Sequence, residues 1–381
     1  MSRIKFGDVV KDVKINIDRL NNPYEFYVAG DHMDSEDLTT HRKGRFATDD
    51  VGPAFIRVFK PGQILYGSRR TYLKKIAVAD FEGICANTTF VLETKDPLVL
   101  EQRLLPFIML SKDFTTWSIA KSKGSTNPYV LFSDLADFEF ELPPLEEQKV
   151  LADKLWAAYR LKEAYKKLLV ATDEMLKSQF IEMFGNPLSL NQKNELKRLG
   201  ECCILNPRRP NIALCDTDKV SFIPMPAVSE DGYLVDMTDE EYGKVKKGFT
   251  YFENNDVLFA KITPCMENGK GAIVHGLTNG IGMGSTEFHV LRPINGISSP
   301  YWLLALTRMP IFRERAAKNM SGTGGQKRVS ASYLDHFMVG LPAIEEQRRF
   351  EAIYRQADKS KFELRKSIDA IDKVIKSLIN N

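Results

Sequence analysis

Residues 142–148 read LPPLEEQ, and residues 341–347 read LPAIEEQ. The two stretches lie at an offset of 199 (142 to 341), and their surroundings repeat in the same order. Upstream, SDLADF (133–138) faces SYLDHF (332–337), and KGSTNPYV (123–130) lies against TGGQKRV (323–329). Earlier still, FKPGQILYGSRR (59–70) matches FENNDVLFAKIT (252–263), and GICANTTFVLE (83–93) matches GIGMGSTEFHVL (280–291). The period is far too long for a solenoid. The chain is one plan written twice.

Downstream of each heptapeptide the composition changes. From Glu146 to about Phe184 there is no Pro or Gly, and Leu151, Leu155, Ala158, Leu161, Tyr165, Leu168 and Met175 or Leu176 recur at steps of three and four. Leu364, Ile368, Ile371, Ile375 and Leu378 step four, three, four, three. Both patterns predict long helices with an a/d seam. Prolines 143, 144 and 342 suit the approach to a helix, and Glu146-Glu147 and Glu345-Glu346 suit its positive end. Gly185-Asn186-Pro187 terminates the first helix. At ~1.5 Å per residue, roughly 38 residues make a rod of about 57 Å.

Between the rods come short runs with strand character: Pro53–Phe59, Gln63–Tyr66, Lys75–Val78 and Thr89–Leu92, then Val220–Ile223, Asp256–Phe259, Gly271–Val274 and Glu287–Leu291. A helical patch, 98–122 and 300–320, precedes the Gly-containing loop in each half. The expected organisation is a globular domain (1–144), a central helix (145–185), a second globular domain (186–343) and a C-terminal helix (344–381). The class is α+β: two mixed α/β domains joined by two long helices. A lone helix cannot bury its stripe, so the two are expected to pack as an antiparallel coiled coil, giving a pseudo-twofold molecule.

The composition, 43% hydrophobic and 27% charged, is that expected of a soluble globular protein. No apolar run is long enough for a bilayer, and MSRIKFGDVV lacks the character of a signal peptide. Five scattered cysteines suit free thiols in a reducing cytosol, so a cytoplasmic location with no membrane partner is expected. A net charge of +3 supports nucleic-acid binding only through local patches.

This arrangement resembles the specificity subunit of a type I restriction-modification system. The resemblance covers essentially the whole chain and is carried by LPPLEEQKVLADKL (142–155), KSQFIEMFGNP (177–187) and GQKRVSASYLDHFMVGLPAIEEQ (325–347). It implies two target recognition domains, each reading half of a bipartite double-stranded DNA site. It implies helices that set the spacing and dock two methyltransferase (modification) subunits, with restriction subunits (ATPase and endonuclease) in the full complex. It also implies a subunit that performs no chemistry and needs no cofactor.

Candidate DNA contacts follow from charge and loop chemistry. In the first half they are Arg69, Arg70, Tyr72 and Lys74 after a strand, and Lys121, Lys123, Ser125, Thr126 and Asn127 in a polar loop. In the second half they are Lys261, Asn268 and Lys270, and the loop Gly324, Gly325, Gln326, Lys327 and Arg328. Arg suits guanine, Asn and Gln suit adenine, and glycines let backbone N–H groups approach phosphate. A solvated face is the ordinary reading of any one basic cluster; duplication at matched positions argues for function.

Other chemistry is less well supported. Asp80, Glu93 and Lys95 imitate a metal-dependent nuclease pattern, but the second half reads Leu291-Arg292-Pro293 at the matching place. Asn127-Pro128-Tyr129 lacks one proline of an adenine-methyltransferase motif, and no P-loop is present. The five histidines lack the spacing of a metal site or triad, so no metal is expected. A coiled-coil adaptor or an orphan DNA-binding protein without restriction partners is the remaining alternative.

Overall fold

The computed structural model describes residues 2–18, 21–186, 194–323 and 325–380. The chain forms two units, residues 1–166 with 365–381, and residues 167–364.

The first unit begins β1 (Ser2–Lys5), α1 (Phe6–Val9), β2 (Val10–Asp12), β3 (Phe26–Val28), β4 (Gly44–Arg45), β5 (Phe55–Phe59) and β6 (Ile64–Gly67). It continues with β7 (Ile76–Val78), β8 (Gly83–Ala86), β9 (Thr89–Thr94), α2 (Leu105–Leu110), α3 (Lys112–Ala120), α4 (Phe132–Ala136), β10 (Glu139–Leu142) and the start of α5 (Leu145–Phe184). One sheet has the order β2-β9-β6-β7 and is antiparallel. The other is β4-β3-β8-β5, with β3 and β8 parallel, and β1 pairs with β10. Strand side chains alternate between faces. On β6, Ile64 and Tyr66 join a core with Phe107, Phe114 and Leu155, while Leu65 joins Val28, Phe59 and Cys85 of the other sheet. Covered on both faces, the strand reads as a nearly unbroken apolar run.

The second unit repeats this plan: β11 (Glu195–Arg198), α6 (Leu199–Cys202), β12 (Cys203–Leu205), β13 (Lys219–Ile223), β14 (Thr238–Glu241), α7 (Tyr242–Val245), β15 (Thr250–Glu253) and β16 (Val257–Ala260). Then come β17 (Gly271–Ile273), β18 (Ile281–Gly284), β19 (Phe288–Pro293), α8 (Pro300–Arg308), α9 (Pro310–Lys318), α10 (Ala331–Asp335), β20 (Met338–Leu341) and the start of α11 (Ile344–Asn380), whose residues from 365 on belong to the first unit. Its sheets are β12-β19-β16-β17, β14-β13-β18-β15 and β11-β20, the same three orders.

The helical patches differ from expectation. The first starts at Leu105 rather than 98 and breaks at Ser111, whose hydroxyl caps α3 by accepting from the Phe114 N–H at 3.2 Å. The second breaks at Met309, because Pro310 has no N–H to continue α8 and opens α9 instead.

Within each unit the long helices run antiparallel. In the first, Leu155 and Tyr159 share a core with Ile375, Leu151 and Leu378 lie partly buried and line one groove, and Lys162 Nζ meets Asp372 Oδ1 at 2.6 Å. In the second, Phe180 and Phe184 pack their rings on Phe350 at 5.5 and 5.4 Å, and Lys361 Nζ meets Asp173 Oδ1 at 2.9 Å. The seam of α5 departs from the sequence pattern by one position. Leu168 is 50% exposed and Leu161 45%, while Ala152, Leu155, Tyr159, Leu176 and Phe180 are buried. Between them the stripe passes through half-buried Lys162, Lys166 and Asp173, charged residues that an apolar template skips. Tyr165, Leu364 and Ile368 are half-buried.

Each heptapeptide ends in a buried glutamine. Gln148 Nε2 donates to the carbonyls of Val99 and Pro143 at 2.9 Å, and its Oε1 accepts from Glu101 N–H at 2.9 Å. Gln347 repeats this with Ile297, Pro342 and the Ser299 N–H at 2.9, 2.9 and 2.8 Å. In both units the amide ties the helix start to the segment that leads into the helical pair.

A buried carboxylate ties a second segment of the first unit to α5. Asp37 accepts from Tyr159 OH at 2.5 Å, Lys166 Nζ at 2.9 Å and the Thr39 N–H at 2.9 Å, with His41 Nε2 at 3.2 Å. Burial alone would raise its pKa; the hydrogen bonds from Tyr159, Lys166 and Thr39 outweigh this and hold it at about 2, against an ordinary 3.8. The folded pKa is therefore depressed, so this stabilisation is complete above the ordinary value and is lost as pH falls from about 4 towards 2. Asp37→Asn is expected to flatten the acid limb of unfolding, measured as urea midpoints between pH 6 and pH 2.5. An unchanged slope would assign the acid sensitivity to other carboxylates.

Candidate nucleic-acid interface

In the first unit, the segment leaving β6 and the loop between α3 and α4 are laced together by backbone. Tyr129 bridges both Arg69 and Lys123; Arg70 N–H donates to Pro128 O at 2.6 Å and Val130 N–H to Ser68 O at 2.9 Å. Thr71 and Ser122 join hydroxyls at 2.9 Å. Arg70 and Lys74 flank the 3-10 turn Thr71–Leu73 and both lie in the left-handed region, at φ 50° and 48°. For non-glycine residues that conformation costs about 1–3 kcal/mol, and the surrounding hydrogen bonds hold it.

The second unit builds the same lattice from different letters. Arg328 bridges both Ile262 and Ser321, Thr263 N–H donates to Lys327 O at 3.0 Å, and Val329 N–H donates to Lys261 O at 3.0 Å. Gly322 is required here: at φ 142° a Cβ would stand 2.4 Å from the Gln326 carbonyl oxygen. Beneath the loop, His289 is buried, with Nε2 at 2.9 Å from Val329 O and Nδ1 at 3.0 Å from Asn206 Nδ2. Desolvation holds its pKa below the ordinary imidazole value, which keeps the ring neutral.

The sequence-predicted residues are thus gathered into one loop pair per unit, but in two states. Arg69, Arg70, Tyr72, Lys121, Ser125, Thr126, Asn127, Gly325, Gln326 and Lys327 are exposed. Among the described residues Arg69, Arg70 and Lys327 carry no ion pair, and Lys121 lies 4.7 Å over the Trp117 ring. Others are held by protein: Lys74 by Glu36 at 2.5 Å, Lys123 by Asp134 at 2.8 Å and Asn268 by Glu230 at 2.9 Å. Arg328 meets Glu287 through two hydrogen bonds. Lys261 and Lys270 are half-buried, and Gly324 lies outside the described residues. The four acids were missed in the sequence because a carboxylate has no mark until its partner is known. Glu36 also adjoins Asp37, so the loop holding Lys74 leads directly to the buried contact with α5.

The nuclease pattern does not assemble into one cluster. Glu93 accepts from Gln63 at 2.7 Å and Lys11 at 2.9 Å, Lys95 donates to the Gly7 carbonyl at 2.5 Å, and Asp80 is exposed. Asp37, His41 and Glu163 bring ligand atoms within 4.8 Å of one another, but Lys166 Nζ already lies 2.9 and 2.8 Å from the two carboxylates and supplies their cation. Burial pushes the Cys85 and Cys202 thiols up to about 12, which removes them as nucleophiles.

The family model for the type I restriction modification DNA specificity domain matches residues 56–169 and 191–371, one segment in each half. The chain belongs to this family. It is 38% identical over 170 residues to the type I restriction enzyme EcoAI specificity subunit of Escherichia coli, covering 43% of this chain and 29% of that one. It is 34% identical over 200 residues to the Escherichia coli EcoEI specificity subunit, covering 51% and 33%. The chain therefore spans about a third of the length of the curated relatives it matches. Its fold is similar to that of a type I restriction-modification system S subunit from M. genitalium, with a TM-score of 0.57 at 15% identity over 99% and 94% of the two chains. The specificity-domain fold thus occurs twice in this chain, each copy with its own loop pair. Among the described residues, no helix is long and apolar enough to cross a membrane.

Proposed function

We propose that this chain is the sequence-specific, non-catalytic DNA-reading subunit of a type I restriction-modification complex. Each loop pair reads one half of a bipartite double-stranded site, with residues 1–144 and 186–343 as the two readers. The helices 145–185 and 344–381 set the gap between half-sites and dock two methyltransferase subunits; restriction subunits join for cleavage, in the cytoplasm. The observation that carries this reading is the pair of matched lattices bearing unlike side chains. Arg69 and Tyr129 stand where the second unit has Ile262 and Arg328. One scaffold with two sets of letters suits two unlike half-sites.

The test is selection from random duplexes by the full chain with its methyltransferase subunit. The expected product is a two-part site with a constant gap, bound with an affinity that falls steeply as salt rises. Recovery of no preferred sequence, with the partner present, would overturn the proposal.

A further inference from the structure

We propose, resting on that reading, that Arg328 reads a guanine in the half-site of the second unit and that Glu287 is its positioning residue. Arg328 occupies the middle of the three-stranded lattice, so its backbone is pinned on both sides, to Ile262 and to Ser321. Glu287 is anchored too: its carbonyl accepts from Lys261 N–H at 2.9 Å, immediately before β19. Between these fixed points the guanidinium is clamped, Nε to Oε2 at 2.9 Å and Nη2 to Oε1 at 2.8 Å, and Nη1 reaches the Gln326 carbonyl at 3.3 Å.

A guanidinium has five N–H groups in one plane. The carboxylate takes the Nε–Nη2 edge and Gln326 one N–H of Nη1. One N–H on each terminal nitrogen remains, on a side chain 39% exposed. The end-on edge of a guanidinium, one N–H from each terminal nitrogen in parallel, matches O6 and N7 of guanine in the major groove, with Gln326 left to the outer N–H of Nη1. The clamp restricts the rotamers of a long side chain before DNA arrives, so less freedom is lost on binding. Glu287 also offsets the charge of Arg328, which weakens its pull on phosphate anywhere along the duplex. A preorganised, charge-compensated arginine favours one base over bulk DNA.

The matched place in the first unit holds Tyr129 and Thr88: Tyr129 bridges Arg69, and Thr88 O accepts from Ser68 N–H. The arginine–carboxylate clamp is therefore confined to the second unit.

The full chain with its methyltransferase subunit is used to select sites from random duplexes, beside Arg328→Gln, Arg328→Lys, Glu287→Gln and Lys327→Gln. The wild type is expected to select guanine at one position of the half-site read by the second unit. Arg328→Gln and Arg328→Lys lose that preference by roughly 10- to 100-fold, with the other half-site unchanged. Glu287→Gln, which keeps one contact at most, lowers it by roughly three- to tenfold. The slope of log affinity on log salt stays near the wild-type value in the Arg328 variants, while Lys327→Gln reduces it by about one. Melting temperatures near wild type show that the lattice is intact. If the wild type selects a site but no position changes in Arg328→Gln, the guanine assignment is wrong and the general reading stands. A uniform loss at every sequence with a shallower salt slope makes Arg328 a phosphate contact, which also overturns it. A wild type that selects nothing overturns the general reading instead.

Discussion

Asp173→Ala is expected to destabilise the second unit by about 3–5 kcal/mol, the usual cost of stranding a buried charge. The charge is on Lys361, whose side chain is 1% exposed and whose ammonium meets Asp173 Oδ1 at 2.9 Å. The Tyr354 ring, 5.8 Å from Nζ, offers only a weak second interaction. Without the carboxylate, the ammonium must lose its proton, draw water into the seam or tear the helices apart locally. Asp173→Leu combined with Lys361→Met removes both charges at similar volume, and is expected to return to within about 1 kcal/mol of wild type or to exceed it. The measurements are urea midpoints together with hydrogen exchange over 167–184 and 344–364. Loss of less than about 1 kcal/mol in Asp173→Ala would mean that the ammonium reaches solvent. The corresponding pair in the first unit, Lys162 with Asp372, is 12% and 35% exposed and is expected to matter less.

These pairs also explain where the sequence was legible and where it was not. Lys162 and Lys361, like Asp173 and Asp372, stand at the same offset of 199 as the heptapeptides. On α11 the apolar letters Ile371, Ile375 and Leu378 lie on the packed face, so counting fours and threes follows it. On α5 the aliphatic Leu161 and Leu168 are outward and the inward positions are charged, so the same count slides off by one. The pattern of a helix reports burial only where burial is apolar. The expected strands, β5, β6, β7, β9, β13, β16, β17 and β19, all form within one or two residues of their expected ends; β6, β9, β16 and β19 among them are mostly buried. The two-residue β4, and β1, whose Ser2 pairs with Leu142 of β10 140 positions on (2 to 142), have no periodicity to count. The basic loops were legible because charge and glycine mark them. Their acidic holders, Glu36, Asp134 and Glu287, are remote in sequence or ordinary in type, and only the fold makes them partners.

Gln347→Glu is expected to cost the second unit about 3–5 kcal/mol at neutral pH, although it adds and removes no bulk. Gln347 is fully buried, and its amide satisfies three backbone groups, the Ser299 N–H and the carbonyls of Ile297 and Pro342. A carboxylate still accepts from the Ser299 N–H, but two oxygen lone pairs then face the carbonyls of Ile297 and Pro342 at the old 2.9 Å positions. Each buried backbone group left unpaired costs roughly 1–3 kcal/mol, and the buried charge adds to this. Protonation restores one donor, so the folded pKa of the new acid is raised above its unfolded value. Its destabilisation is greatest above that raised pKa and shrinks as pH falls, the opposite sign to Asp37. Gln347→Ala tests the same bonds with a cavity and no charge: it should lose about 2–4 kcal/mol with no pH dependence of its own. Gln148→Glu is expected to do the same to the first unit, through Val99, Glu101 and Pro143. Hydrogen exchange then separates the two, with protection lost around 297–303 and 341–350 in one case and around 99–105 and 142–151 in the other. Equal loss in both regions from either single change would show that the two junctions unfold together, not as local anchors. The glutamine that closes each heptapeptide is therefore the residue whose chemistry is least replaceable there, because its one amide supplies two donors and one acceptor at fixed places that no other side chain of its size presents.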